Sequence, residues 1–197
     1  MKIVFATNNK HKLKEIRQMA GDAFHILSLE EVGIREEIPE DHETLEENAL
    51  AKARFVHSRT GLPVFADDTG LEVEALGGRP GVFSARYAGP EKDSKKNIQK
   101  LLSELNNIHN RKARFRTVIA FIPPENKEIL FEGIVEGTIS PKPAGKEGFG
   151  YDPVFVPAGY TKTFAELPSS IKNKISHRYH AFARFTRFLD EQFTTLK

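Results

Sequence analysis

Residues Pro63-Val64-Phe65-Ala66-Asp67-Asp68-Thr69-Gly70 decide the reading of the fold. A proline opens a short apolar run, and two adjacent carboxylates stand between that run and a glycine. Such a run reads as a buried strand, with the polar residues as its C-terminal turn. Upstream, Thr44-Leu45-Glu46-Glu47 has the spacing of a helix capping box. Leu45, Ala49, Lys52, Ala53 and Val56 then recur on one face until Gly61. Further upstream, Lys2 to Ala6 reads as a strand. Lys10 to Ala20 reads as a helix with Leu13, Ile16 and Ala20 on one side and Gly21 behind it. Val32 to Ile38 reads as a short strand ended by Pro39.

Downstream, residues 77–90 are rich in glycine and proline and form a structured loop. Asp93 to Ile108 is an amphipathic helix through Ile98, Leu101, Leu102, Leu105 and Ile108. Phe115 to Ile122 and Glu128 to Ile139 read as a strand pair joined by a turn. Ala144 to Gly150 is a glycine-rich loop, and Val154 to Val156 is a further strand. Ser176 to Phe193 is the last helix, with Ala181, Phe182, Phe185, Leu189 and Phe193 as its apolar stripe. This order of elements predicts an α/β fold: an elongated mixed sheet with two lobes and a central cleft, in one domain over residues 1–197.

The composition is ordinary for a globular chain, with 39% hydrophobic and 28% charged residues. The absence of cysteine excludes disulfides, thiolate metal ligands and a thiol nucleophile. No apolar run approaches the roughly 20 residues of a membrane span, and the apolar start is too short for a signal peptide. A cytoplasmic protein is expected. The net charge of +2 is unevenly spread. Residues 30–47 hold nine acids against Arg35, and residues 160–197 hold seven Lys/Arg against three acids. That asymmetry suits a magnesium-bound polyphosphate, and it also suits two solvated faces.

Five stretches can carry chemistry, and each has a plain structural reading beside the chemical one. Thr7-Asn8-Asn9-Lys10-His11-Lys12 joins a strand to a helix N-terminus, where N–H groups and lysines favour phosphate; an asparagine N-cap explains it equally. Asp67 and Asp68 can bind magnesium and activate water, or form a turn. The acids Glu36, Glu37, Glu40, Asp41, Glu43, Glu46 and Glu47 include possible metal ligands, although capping alone explains Glu47. Gly148-Phe149-Gly150-Tyr151-Asp152-Pro153 offers an aromatic face to a flat ligand, or core packing. Lys172, Lys174, His177 and Arg178 are donors suited to a keto oxygen or a phosphate, or an exposed basic helix start.

Taken in order, these strings resemble the inosine triphosphate pyrophosphatase family. The likeness runs from Thr7 to Arg178. It rests on Thr7-x-Asn9-x-x-Lys12, Glu47-Asn48-Ala49, Ala66-Asp67-Asp68-Thr69-Gly70-Leu71, Gly77-Gly78-x-Pro80-Gly81, Ser84-Ala85-Arg86-Tyr87, Phe149-Gly150-Tyr151-Asp152-Pro153 and Ile175-Ser176-His177-Arg178. The resemblance implies a magnesium-dependent homodimer that cleaves ITP, dITP and XTP to the monophosphate and pyrophosphate. It implies that Thr7, Asn9 and Lys12 form the phosphate-binding loop, with Asn8, Lys10, His11 and Thr69 as further substrate-binding residues. Asp68 is the implied general base and metal ligand, and Glu40 the second metal ligand; the adjacency of the two aspartates leaves Asp67 as the alternative to Asp68. Phe149, Gly150, Tyr151, Asp152, Lys172, His177 and Arg178 are the implied base pocket. Thr69 stands where serine is common and Asn8 where glycine is common. A related pyrophosphatase of pyrimidine nucleotides and a non-catalytic nucleotide or nucleic-acid binder are the rivals. Near-neutral charge and the paired aspartates argue against nucleic acid, and no membrane partner is expected.

Overall fold

The computed structural model describes residues 2–125 and 127–193, with only the backbone of Phe193. The elements in chain order are β1 (Lys2–Phe5), α1 (Lys10–Ala20), β2 (His25–Leu27), α2 (Leu45–Thr60), β3 (Val64–Val73), β4 (Pro80–Gly81), α3 (Ser94–Glu104), β5 (Lys112–Ile122), β6 (Ile129–Ile139), β7 (Phe155–Pro157), α4 (Ser169–Ile175) and α5 (His177–Phe193). The strands form one mixed sheet in the order β2-β1-β3-β5-β6-β7, with β4 on β3. β1 runs parallel to β2 and β3, whereas β4 is antiparallel to β3 and β7 to β6. The α/β class and mixed sheet expected from sequence are therefore present. Among the described residues no helix is long and apolar enough to cross a membrane.

The chain folds as two compact units. The first is Met1–Asp68, Thr117–Gly133 and Arg178–Lys197; the second is Thr69–Arg116 and Ile134–His177. In the first unit β1 from Ile3, the start of β3 and the end of β5 are buried on both faces, which is why they read as continuous apolar runs rather than alternating ones. Ile3, Phe5, Phe65, Ile119 and Phe121 pack with Ile16 of α1 and with Phe182, Phe185 and Leu189 of α5. Val4, Ala6, Val64, Ala66, Ala120 and Ile122 point the other way, toward Ala49, Ala53 and Val56 of α2. The second unit packs Leu71, Val73, Ile98, Leu101, Phe115, Phe155, Phe164 and Leu167 into a core of its own.

Two sequence expectations are corrected, and one helix is added. Residues 32–38 form no strand. A 3-10 turn at Glu30–Val32 ends at Gly33, and the sheet edge belongs to β2 instead. The Glu31 carboxylate accepts from Ser28 N–H and from Arg17, which fixes that turn. Second, β3 does not stop at Ala66 but continues to Val73, because its carboxylates find partners inside the fold. Gly70 is then no turn residue: a Cβ there would lie 2.6 Å from the Gly81 carbonyl oxygen, so glycine admits the β4 backbone. The last helix, expected from Ser176, is α5, and a short helix that was not expected precedes it. α4 starts at Ser169, and Ser176 is extended at φ −73°, ψ 156° between α4 and α5. The expected apolar role of Phe193 lies outside the described side chains.

Phe65 is fully buried, stacked on Phe5 at 4.5 Å and tilted on Phe185 at 5.0 Å. Phe65→Ala should cost about 3–5 kcal/mol through lost burial and a residual cavity. Urea unfolding of both proteins measures the difference, and a loss below about 1 kcal/mol would refute this packing role.

Candidate active site

Alternation along β3 separates the two aspartates. Adjacent strand residues face opposite sides, so Asp67 follows Phe65 toward α1 and α5, while Asp68 follows Ala66 toward α2. Asp67 is fully buried. Its Oδ1 accepts from Lys12 Nζ at 3.1 Å and its Oδ2 from Arg178 Nε at 3.2 Å. Arg178, also buried, donates through Nη1 to Glu15 on α1 at 2.5 Å. Burial alone would raise the proton affinity of Asp67, but Lys12, Arg178 and Lys52 hold its carboxyl well below the usual range.

Asp68 is 7% exposed and accepts from Asn48 Nδ2 at 3.0 Å. Lys52 Nζ lies 3.8 Å from its Oδ1, donates to Glu40 Oε1 at 2.5 Å, and donates to the Asp67 carbonyl at 2.7 Å. Burial pushes the Asp68 carboxyl up, with Glu40 and Asp67 adding to the rise against the pull of Lys52 and Lys12. Lys52 is itself buried yet more firmly charged than an ordinary lysine, because Asp68, Glu40 and Asp67 outweigh its desolvation. Two neighbouring carboxylates thus have opposite proton affinities, the pattern that separates a structural acid from a reactive one. Among the described residues, no three His, Asp or Glu side chains converge as a metal cluster. Asp68 and Glu40 meet at one ammonium instead.

The loop before α1 is drawn into local structure. Asn9 is the N-cap, its Oδ1 accepting from His11 N–H at 2.9 Å and Lys12 N–H at 3.2 Å. Thr7 Oγ1 accepts from Asn9 N–H at 3.1 Å. Asn8 bridges to the acidic segment, accepting from Ile38 N–H and donating to the Glu36 carbonyl. Lys10 and His11 are exposed on the first turn of the helix. Thr44 caps α2 as expected, accepting from Glu47 N–H at 3.2 Å, and donates its own hydroxyl to the Glu47 carboxylate at 3.0 Å.

In the second unit, Asp152 and Lys172 form a buried pair at 2.6 Å. Asp152 Oδ2 also accepts from Phe149 N–H at 2.8 Å. The Lys172 ammonium stands 5.0 Å from the centre of the half-buried Phe149 ring, within cation–π range. Gly148 has φ +75°, and a Cβ there would collide with the Asp152 carboxylate, so glycine is required twice over. Gly150 follows in the same loop. Tyr151 is buried, its hydroxyl donating to the Ser84 carbonyl at 2.8 Å. His177 is buried and stacked on Phe115 at 4.5 Å. Thr69 is half-buried in β3.

These features match known proteins over nearly the whole chain. The profile described as the Ham1 family matches residues 3–188. The chain belongs to the Ham1 family. A Porphyromonas gingivalis protein named dITP/XTP pyrophosphatase is 56% identical over 95% of this chain and 97% of its own length. A Flavobacterium johnsoniae protein of the same name is 52% identical over 90% of this chain and 92% of its own. The solved Staphylococcus aureus Ham1 protein superposes with a TM-score of 0.88 at 38% identity, covering 98% of this chain and all of that one.

Within this Ham1 chain the sequence reading paired Asp68 with Glu40 as metal ligands and placed Lys12 in the phosphate loop; in the first unit Lys52 contacts both Glu40 and Asp68, and Lys12 contacts Asp67. Arg178 was expected with His177 and Lys172. It lies in the first unit with Asp67 and Glu15, while His177 and Lys172 belong to the second. Glu15, Asn48 and Lys52 were not placed at the site. For Lys52 the signal was visible, since a lysine inside the stripe Leu45, Ala49, Ala53, Val56 must meet carboxylates when that face is buried. The segment Phe164-Ala165-Glu166-Leu167 supports the 144–150 loop: Ala165 O accepts from Lys146 and Glu147 N–H, and Glu166 accepts from Thr163 N–H.

Asp67→Asn leaves Lys12 and Arg178 buried with one carboxylate fewer and should cost about 3–5 kcal/mol at pH 7. The sign follows from the lowered carboxyl. Its stabilisation is complete above the unfolded value of about 3.9 and fades as pH falls toward the folded one. The gap between wild type and variant should therefore narrow below about pH 4. Denaturant titrations at pH 7 and pH 3.5 check this; a gap that widens in acid contradicts the assignment.

Proposed function

We propose that this chain hydrolyses dITP, ITP and XTP to the nucleoside monophosphate and pyrophosphate, and so removes non-canonical purine nucleotides in the cytoplasm. The observation that carries the reading is the split pair on β3. Asp67 is locked as a structural anion, and Asp68 has a raised proton affinity beside Glu40 and Lys52. The close relatives named dITP/XTP pyrophosphatase supply the substrate class. In the proposed reaction a water oxygen attacks the α-phosphorus, its proton passes to the Asp68 carboxylate, and the bond to the bridging oxygen breaks to release pyrophosphate. A carboxylate of raised proton affinity suits that transfer.

Asp68 and Glu40 fit magnesium, which takes one or two carboxylates when water and phosphate oxygens complete its shell. When bound, magnesium would neutralise phosphate charge and orient the water. Lys12 uses one of its three N–H donors on Asp67, so the same ammonium can also meet a phosphate oxygen. Thr7, Asn8, Asn9, Lys10, His11 and Thr69 complete the proposed phosphate contacts. Phe149, Gly150, Tyr151, Asp152, Lys172 and His177 are proposed for the base, with Lys172 and His177 donating to its keto group. The resemblance adds Arg178 to that set. Because Arg178 also holds Asp67 and Glu15, its role in base choice must be read from a ratio of kcat/KM values. A homodimer is part of this proposal and is checked by light scattering.

Product analysis with dITP should find pyrophosphate and the monophosphate in equal amounts; orthophosphate and diphosphate as sole products would overturn the assigned bond. A panel of purine and pyrimidine triphosphates, with and without magnesium, tests the substrate class. Asp68→Asn should lower kcat by about 10²–10⁴-fold with unchanged circular dichroism. Near-normal turnover in that variant would remove Asp68 from the proton transfer.

A further inference from the structure

Asn48 is 1% exposed in the second turn of α2, where an amide side chain is costly unless its polar atoms are bonded. Its bonds go in two directions. Oδ1 accepts from His42 N–H at 3.1 Å and Nδ2 donates to the His42 carbonyl at 3.3 Å, so the amide grips both polar groups of one residue. The same Nδ2 donates to Asp68 Oδ2 at 3.0 Å. His42 lies two residues beyond Glu40, in the segment between the 3-10 turn at Glu30–Val32 and α2. One turn further along α2, Lys52 contacts both Glu40 and Asp68.

We propose that Asn48 is a positioning residue that couples the two carboxylates of the metal site, a reading that rests on the proposed function. Its amide fixes the Asp68 carboxylate by one oxygen and pins the 40–43 segment by the His42 backbone. Lys52 then sets Glu40 and Asp68 around one point. The helix supplies a rigid ruler, since residues 48 and 52 are successive positions on one face. A donor on Asp68 Oδ2 also leaves the carboxylate less able to rotate, which keeps Oδ1 toward the side where Lys52 and Glu40 lie. Partners that orient metal ligands typically change metal affinity or activity 10- to 100-fold when removed.

The test uses the full chain, with Asn48→Ala and Asn48→Ser as variants and Mn²⁺ as the probe metal. Mn²⁺ binding to protein without nucleotide is followed by electron paramagnetic resonance, thermal unfolding reports folding, and dITP turnover is measured across magnesium concentrations. Both variants should bind Mn²⁺ about 10-fold more weakly and need correspondingly more magnesium for half-maximal turnover, with Ser closer to wild type. If Asn48→Ala fails to fold, Asn48→Ser decides. A variant that loses only melting temperature, with unchanged Mn²⁺ affinity and magnesium requirement, overturns the positioning role while leaving the functional reading intact. A wild-type chain that shows no magnesium-dependent turnover and no Mn²⁺ binding overturns the functional reading and this inference with it.

Discussion

A carboxylate in a strand buried on both faces has no route to water, and an uncompensated charge there costs several kcal/mol. Asp67 is such a residue, and much of the first unit is organised around meeting its demand. α1 sends Lys12, α5 sends Arg178, and α2 sends Lys52 to the Asp67 backbone carbonyl. Three helices separated widely in sequence are thereby held to one point on β3. The demand propagates outward, because Arg178 has more donors than Asp67 can accept, and Glu15 takes Nη1. Four acids, Glu15, Glu40, Asp67 and Asp68, interleave with Lys12, Lys52 and Arg178 in a network whose members are each costly alone. Hydrophobic packing places the helices against the sheet; these bonds specify their register.

The one-residue step from Asp67 to Asp68 gives the pair its chemical asymmetry. The same side chain, 3.3 Å or so further along the strand, meets an amide and a more distant ammonium rather than two close cations. The second unit builds a comparable buried pair in Asp152 and Lys172, but uses it differently. There the carboxylate also holds the backbone of Phe149, and the ammonium rests near that ring. A charge pair so placed fixes an aromatic face at a loop whose glycines could not otherwise hold it still.

How much of this the sequence disclosed depends on whether the deciding force was local. The bounds of α1 and the start and stop of α2 were legible, since an asparagine or threonine cap and a left-handed glycine are written within a few residues. The cores of both units were legible from apolar runs. β2 was not, because a three-residue parallel edge strand owes its existence to β1 rather than to its own composition. The start of α5 was legible, whereas α4 was hidden. α4 has only seven residues, and Pro168 before it makes no side-chain cap hydrogen bond, so no local signal marks its start. Asp68 and Lys12 were singled out by motif and residue type. Glu15 was not singled out, and Asn48 entered only within Glu47-Asn48-Ala49 without a role, because solvent-type residues on amphipathic helices carry no local sign that a distant arginine or aspartate will claim them.

The strand-to-helix loop shows why the structural and chemical readings of one motif need not compete. Backbone N–H groups of Thr7, Asn9, His11 and Lys12 are already bonded to Phe5 O, Thr7 Oγ1 and Asn9 Oδ1. An anion arriving there would not meet an open nest of amides. It would meet a capped helix whose dipole still favours negative charge, with Lys12 fixed from behind by Asp67. That arrangement holds the loop in one conformation before any ligand arrives, so little ordering entropy is lost on binding. It also makes the lysine's position a consequence of Asp67, so that the residue with the strongest structural duty governs the geometry of the proposed phosphate contact without touching it.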